Sequence, residues 1–147
     1  MLFNNNTYKL TPFTIPDGIM AIKIMRSIAP DFTDERGDII KLLDDGKTSI
    51  KSVILITCKK GAIRANHYHK KDTHYVYMLY GSMEYTEQDL KTRKAETAVV
   101  KKGDLVFTPP MMPHAMKFLE ESAFLTLATE SRHHDHYEED TVRIKIV

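Results

Sequence analysis

A chain of 147 residues with 21 Lys and Arg against 20 Asp and Glu carries a formal net charge of +1, which excludes the broad basic field of a nucleic-acid binder. With 42% hydrophobic and 28% charged residues it has the make-up of one folded domain rather than a disordered segment. Its single cysteine, Cys58, excludes an internal disulfide and a multi-cysteine zinc cluster. A reducing compartment follows as the expectation. The start Met-Leu-Phe-Asn-Asn-Asn lacks a basic region followed by an apolar stretch. No apolar run approaches the roughly 18–20 residues of a membrane helix. The expected setting is soluble and cytoplasmic, with neither membrane nor nucleic acid as partner.

In chain order, residues 1–18 read as an N-terminal arm and 19–147 as one domain. Asp34-Glu35-Arg36-Gly37 is a turn entering a run from Asp38 to Leu43, which Asp44-Asp45-Gly46 ends. Ser52 to Thr57 follows, then the turn Lys59-Lys60-Gly61. His74 to Tyr80 and Met83 to Thr86 are split by Gly81-Ser82. Lys91 to Lys94 is a hairpin loop, and Lys102-Gly103-Asp104 separates Ala95 to Val100 from Leu105 to Thr108. Ala123 to Thr129 and Val142 to Val147 close the chain. Short runs rich in Val, Ile, Thr, Tyr and Phe predict strands, and their regular spacing predicts an all-β sandwich or barrel. No segment keeps a helical period over three turns.

Side chains alternate across a strand. In His74 to Tyr80 one parity gives His74, Val76, Met78 and Tyr80, the other Tyr75, Tyr77 and Leu79. Both faces need cover. One lines an interior; a second sheet or a second subunit covers the other, and a homodimer is the economical expectation.

All seven histidines lie between His67 and His136. His67-Tyr68-His69 puts two imidazoles on one strand face, because the strand period is 2. His74 follows after a tight turn, and His114 arrives from a later strand behind Pro109-Pro110. Neutral imidazoles at this spacing suit a divalent first-row metal ion such as Zn, Fe, Ni or Mn. The other reading is a polar barrel mouth without metal. By parity Arg64 falls opposite His67 and His69 unless a bulge intervenes; a diphosphate contact at the rim and a solvated charge are the alternatives. Tyr68 points away from the site, and Tyr75 and Tyr77 read as packing. Met111, Met112 and Met116 read as filling around His114. Cys58 reads as a buried strand residue. His133-His134-Asp135-His136 reads as a solvated loop.

The segment Gly61 to Gly81, GAIRANHYHKKDTHYVYMLYG, resembles the first motif of the cupins, G-x5-H-x-H-x3,4-E-x6-G. His74 stands where that pattern has Glu. Gly103 to His114, GDLVFTPPMMPH, resembles the second, G-x5-P-x-G-x2-H-x3-N, with Met111 for the Gly and Phe118 for the Asn. The resemblance implies a cupin double-stranded β-helix, a jelly-roll barrel. It also implies a metal shell of His67, His69, His74 and His114. A narrower resemblance is to cupins that isomerise or epimerise dTDP-4-keto-6-deoxy sugars. It rests on Asp34 to Gly37, on Arg64 to Lys70 with Ala65 for a Gly, on Pro109 to His114 with Pro113 for a Trp, and on Tyr137 to Arg143. Asn66 to His69 also looks like the cupin module of some capsular-sugar reductases.

The resemblance implies a sugar-nucleotide isomerase or epimerase of polysaccharide biosynthesis, binding a dTDP- or UDP-sugar and needing no organic cofactor. His67 or His69 would move the proton, since His titrates near neutral pH. Arg64 and Arg36 would bind substrate. Two other readings stand beside it. One is a metal-dependent cupin, a dioxygenase or small-molecule isomerase, with the four histidines as its site. The other is a ligand-binding cupin without catalysis.

Overall fold

The computed structural model describes residues 21–147. The expected arm at 1–18 lies outside the described residues. Twelve strands and one helix follow in chain order: β1 (Lys23–Met25), β2 (Phe32–Asp34), β3 (Gly37–Ile39), β4 (Ser52–Cys58), β5 (Ile63–His69), β6 (His74–Tyr80), β7 (Ser82–Gln88), β8 (Ala95–Lys101), β9 (Leu105–Thr108), β10 (His114–Phe118), β11 (Ser122–Ala128), α1 (His134–Asp140) and β12 (Thr141–Arg143). The pairings are antiparallel and make two five-stranded sheets, ordered β1-β9-β6-β11-β4 and β12-β5-β10-β7-β8. Strands β2 and β3 form a separate ribbon. From β4 to β12 each strand but β8 lies in the other sheet from its predecessor, which is the jelly-roll pattern expected above.

The inward parity of two strands, one from each sheet, grades the interior. In β6 it runs His74, Val76, Met78; in β10 it runs His114, Met116, Phe118. All six are buried. Histidines therefore gather at one end of the barrel and large apolar side chains fill the other. Phe118 stacks on Phe124 with centroids 5.7 Å apart, and Met83, Tyr85, Val100 and Val106 complete that end. Burying such side chains contributes about 1.5–3 kcal/mol each. The apolar end is thus the anchor on which the polar end is held.

Three expectations on local structure need correction. The run Asp38 to Leu43 is strand only at its start, because β3 pairs solely with β2 and the ribbon ends at Ile39. Val142 to Val147 shortens to β12, whose partner β5 is matched only over His67 to His69. The segment from His134 is helical rather than a loop. No residue of α1 is buried, so it carries no apolar period to read.

The outer face of the first sheet is covered in part. Tyr75 packs on Phe107 at 5.2 Å between ring centroids, with Thr48 against its hydroxyl. At the edge strand β4 the cover ends: Val53 and Leu55 are 65% and 61% exposed.

A bulge decides where Arg64 goes. His114 pairs with His67, but Ala115 pairs with Ala65 and Met116 with Arg64, so Asn66 is the extra residue in β5. Ala65 and Asn66 both take left-handed backbone, with φ of 66° and 51°. Met111 does so as well, at 61°. Ala65 and Met111 stand where the resembled motifs have glycine. The left-handed form costs an L-residue roughly 1–2 kcal/mol, and glycine's extra unfolded-state freedom offsets about 0.5–1 kcal/mol of that. Ala65→Gly and Met111→Gly should therefore each stabilise the fold by about 0.5–1 kcal/mol. Urea denaturation checks this; a lower midpoint for both would refute the strain.

Candidate functional site

The polar end of the barrel opens into a cavity of about 140 Å³. His67, His69 and Arg64 reach it from β5, His74 from β6, and His114 and Met116 from β10. Ile54, Ile56, Val76, Phe124 and Thr126 form the opposite, mostly apolar wall, and Arg132 and Tyr137 close the rim. The bulge turns Arg64 inward: its cross-strand partner Met116 lies two residues from His114 and so shares its face. Arg64 also ties β5 to β4, donating from Nε to Cys58 Sγ at 3.0 Å and from its NH2 group to the Thr57 carbonyl at 3.2 Å.

The imidazoles pack edge to face, except for the tilted pair of His74 and His114. Ring centroids are 4.6 Å apart for His67 and His69, 4.8 Å for His67 and His114, 5.0 Å for His74 and His114, and 5.5 Å for His69 and His74. The donor atoms of His67, His69 and His114 all lie within 4.8 Å of one another. A second group within that limit is His69, Asp72 and His74. The four histidines and Asp72 thus fall into two overlapping trios that share His69. His74 faces inward, but its bonding is to Asp72.

Three of the four rings have Nδ1 tied back. His114 Nδ1 donates to the Met112 carbonyl at 2.9 Å, and His74 Nδ1 donates to Asp72 Oδ2 at 3.3 Å. His69 Nδ1 faces Thr141 Oγ1 at 3.3 Å and Asp140 Oδ2 at 3.6 Å. Such ties fix the tautomer and present Nε2, which is how metal-binding and catalytic histidines are both prepared.

Burial sets the protonation of the cluster. It pushes His67 down to about 4, helped by His74 and Arg132. It pushes His69 down to about 3, helped by the neighbouring imidazoles. His74 and His114 move the same way, His74 despite its bond to Asp72. Asp72 is 2% exposed; burial alone would raise it, but His74 and Arg132 outweigh this and hold it low. At neutral pH the pocket holds four uncharged imidazoles and one carboxylate paired with one guanidinium, at 2.7 Å from the NH2 group of Arg132 to Asp72 Oδ2.

Arg36 is not brought to this pocket. It is exposed in the β2–β3 turn, and its guanidinium is held by Asp34 at 2.5 and 3.0 Å. Asp72 and Arg132 escaped the sequence reading, since neither lies on a strand whose parity could point to it. Tyr137 was visible only as the first residue of a short resembled segment. Its ring is 5.6 Å from His69 and 6.3 Å from His67, because Thr141 Oγ1 caps the Tyr137 carbonyl at 2.6 Å and closes the helix against β5.

The cupin-domain family model matches residues 54–130, just over half of the sequence. The chain belongs to the cupin family. Among solved cupins, a 3,4-ketoisomerase from Helicobacter canadensis superposes with a TM-score of 0.68 at 24% identity, over 85% of this chain and 92% of that one. The TDP-fucose-3,4-ketoisomerase of Campylobacter jejuni gives 0.69 at 17% identity, over 84% and 89%. A 3,4-ketoisomerase variant from Thermoanaerobacterium thermosaccharolyticum, solved with TDP-4-keto-6-deoxyglucose, gives 0.67 at 20% identity, over 83% and 86%. These likenesses establish a shared fold. The oxalate decarboxylase of Bacillus subtilis is 43% identical over 65 residues, which is 44% of this chain and 16% of that protein. No helix among the described residues is long and apolar enough to cross a membrane.

The pH dependence of stability follows in sign. Each histidine with a lowered folded pKa binds its proton in the unfolded chain first, so stability falls as pH drops below the ordinary 6.5. The fall continues to about 4 for His67 and about 3 for His69. It amounts to about 1.4 kcal/mol per pH unit for each fully shifted group. Buried Glu87, raised to about 7, opposes this as one group between pH 7 and its ordinary 4.5. Melting temperature should therefore drop steadily from pH 6.5 to 4, and a flat profile would contradict the buried neutral cluster.

Proposed function

We propose that this cupin is a sugar-nucleotide isomerase acting on a 4-keto-6-deoxy sugar carried as a dTDP or UDP ester, in polysaccharide biosynthesis. The supporting observation is the histidine wall facing an apolar wall across a cavity. It sits on a fold shared over most of the chain with 3,4-ketoisomerases, one of them solved with TDP-4-keto-6-deoxyglucose.

The reaction needs a base and a place for negative charge. His69 suits the base. Asp140 and Thr141 stand behind its Nδ1, and its Nε2 has the NH1 group of Arg132, at 3.5 Å, as its one hydrogen-bonding neighbour among the described residues. It takes the C3 proton; the C3–H electron pair forms the C3–C4 double bond, and the C4 oxygen takes up a proton. Loss of the C3 hydroxyl proton and protonation at C4 complete the move of the carbonyl, with no net redox change. Return of the proton to the opposite face of C3 would instead epimerise that carbon. His67 orients the sugar, and Arg64 holds the substrate on the same face. His69→Ala should lower turnover of TDP-4-keto-6-deoxyglucose by about 10²–10⁴-fold. Affinity for TDP should change little. Turnover at the wild-type rate would reject His69 as the base.

A metal-dependent cupin is the second reading, favoured by the trio His67, His69 and His114. Neutral imidazoles, those of His69 and His114 anchored at Nδ1, fit a first-row divalent ion. An ion held there would polarise a substrate oxygen. His69 Nε2 cannot ligate an ion and accept a proton at once, so the readings separate cleanly. The leading reading expects chelator-treated protein to keep its isomerase activity. About one ion per chain, lost in His114→Ala together with activity, would favour the second.

We infer further that a second copy covers the β4 edge. Val53 pairs with Leu127, which pairs with Tyr75; Leu55 pairs with Leu125, which pairs with Tyr77. These two uncharged rows match themselves across a two-fold axis, where a charged row would repel its copy. Light scattering should give a dimer for the wild type and a monomer for Leu55→Glu; a monomeric wild type would refute it.

A further inference from the structure

Arg132 is the pocket cation whose bonding is incomplete. Its NH2 group donates to Asp72 Oδ2 at 2.7 Å, and its NH1 group stands 3.5 Å from His69 Nε2. Its Nε–H is buried with no acceptor among the described residues. The Tyr137 ring covers the guanidinium at 5.1 Å. Arg64 differs, since its Nε and one NH2 group are already spent on Cys58 and Thr57.

The guanidinium is fixed before any ligand arrives. Asp72 accepts from His74 Nδ1, from the Glu130 backbone at 3.0 Å and from the Thr129 hydroxyl at 3.3 Å, besides Arg132. Arg132 is pinned through its own backbone N–H, which donates to Ser52 Oγ at 3.0 Å. A donor held this firmly, short of an acceptor and beside a proton-accepting nitrogen, is the arrangement that stabilises developing negative charge.

We propose that Arg132 binds an oxyanion of the ligand held in this pocket, next to His69. The ligand class is a compound that presents a planar oxyanion there: the enediolate oxygen of a keto sugar, or the carboxylate of a small acid. The first source rests on the sugar-nucleotide reading; the second does not. In the isomerisation, charge gathers on the C4 oxygen as His69 takes the neighbouring C3 proton. A donor 3.5 Å from the base reaches the adjacent atom of the same substrate.

The test compares full-length wild type with Arg132→Gln, Arg132→Lys and Asp72→Asn. Proton NMR follows deuterium uptake from D2O at C3 of TDP-4-keto-6-deoxyglucose. Calorimetry gives Kd for TDP, which lacks the keto oxygen, and for oxalate. Arg132→Gln should slow uptake about 10²–10³-fold while the Kd for TDP stays within about twofold. Arg132→Lys should recover part of the rate. Asp72→Asn loosens the anchor but keeps the guanidinium, and should retain more of the rate than Arg132→Gln. Oxalate bound by wild type and lost in Arg132→Gln, with TDP bound by neither, keeps the role of Arg132 and rejects the sugar-nucleotide reading. Three outcomes overturn the assignment: uptake and oxalate binding unchanged in Arg132→Gln, a wild type that handles neither ligand, or TDP affinity lost in parallel with uptake.

Discussion

Four imidazoles cannot share a barrel interior unless they are uncharged, and much of the site follows from that constraint. Packed with centroids 4.6–5.5 Å apart along the cluster, protonated rings would repel one another with little water to screen them. Desolvation removes the protons first, and mutual repulsion adds to it. A neutral imidazole then has one N–H that needs an acceptor. Met112 supplies it for His114 and Asp72 for His74, while Asp140 and Thr141 stand at Nδ1 of His69. Each tie comes from a loop or from the segment around β12, so the cluster dictates where those segments lie.

Asp72 carries the cost of this arrangement. A carboxylate 2% exposed needs a full set of partners. It gathers them from His74 on β6 and from the loop after β11, and so fastens the turn after β5 to that loop at the open end of the barrel. The Thr73 N–H donates to Thr129 Oγ1, and the Thr129 N–H returns to the Thr73 carbonyl. Arg132 enters as the countercharge, which brings a guanidinium to the pocket rim. Truncating one member of such a buried pair costs about 3–5 kcal/mol. The loop geometry is therefore as firmly set as the strands.

The strands were legible because their parity is a local property. His74, Val76, Met78 and Tyr80 could be placed on one face from sequence; the structure puts the first three inside and leaves Tyr80 half exposed at the strand end. The H-x-H pair and His114 were legible through spacing and resemblance. Arg64 was legible only conditionally: parity turned it outward, and the extra residue Asn66 turned it inward. That bulge is hard to read, because Ala65 and Asn66 adopt left-handed backbone without a glycine to announce it. Asp72, Arg132 and Tyr137 converge through contacts that span 56 residues or more, such as Thr73 with Thr129. No window of sequence contains that information. Arg36 stands apart from the pocket: a turn motif drew attention to a side chain whose own neighbour, Asp34, holds its guanidinium.

The replacement of Glu by His at position 74 changes what the pocket can do. A carboxylate there would add a negative charge inside the barrel and weaken the hold on an anionic ligand. His74 instead sets the charge one bond further back, on Asp72, where Arg132 cancels it at 2.7 Å. The ionisable residues that line the cavity are then neutral or basic throughout: four histidines, Arg64, Arg132 and Tyr137. Such a lining favours a ligand that arrives with negative charge or develops it during reaction. It also leaves any bound divalent ion with its full charge, so that the ion would polarise an oxygen more strongly than one partly neutralised by carboxylate. Proton transfer and metal assistance thus draw on the same feature, an anion-seeking pocket built from neutral bases.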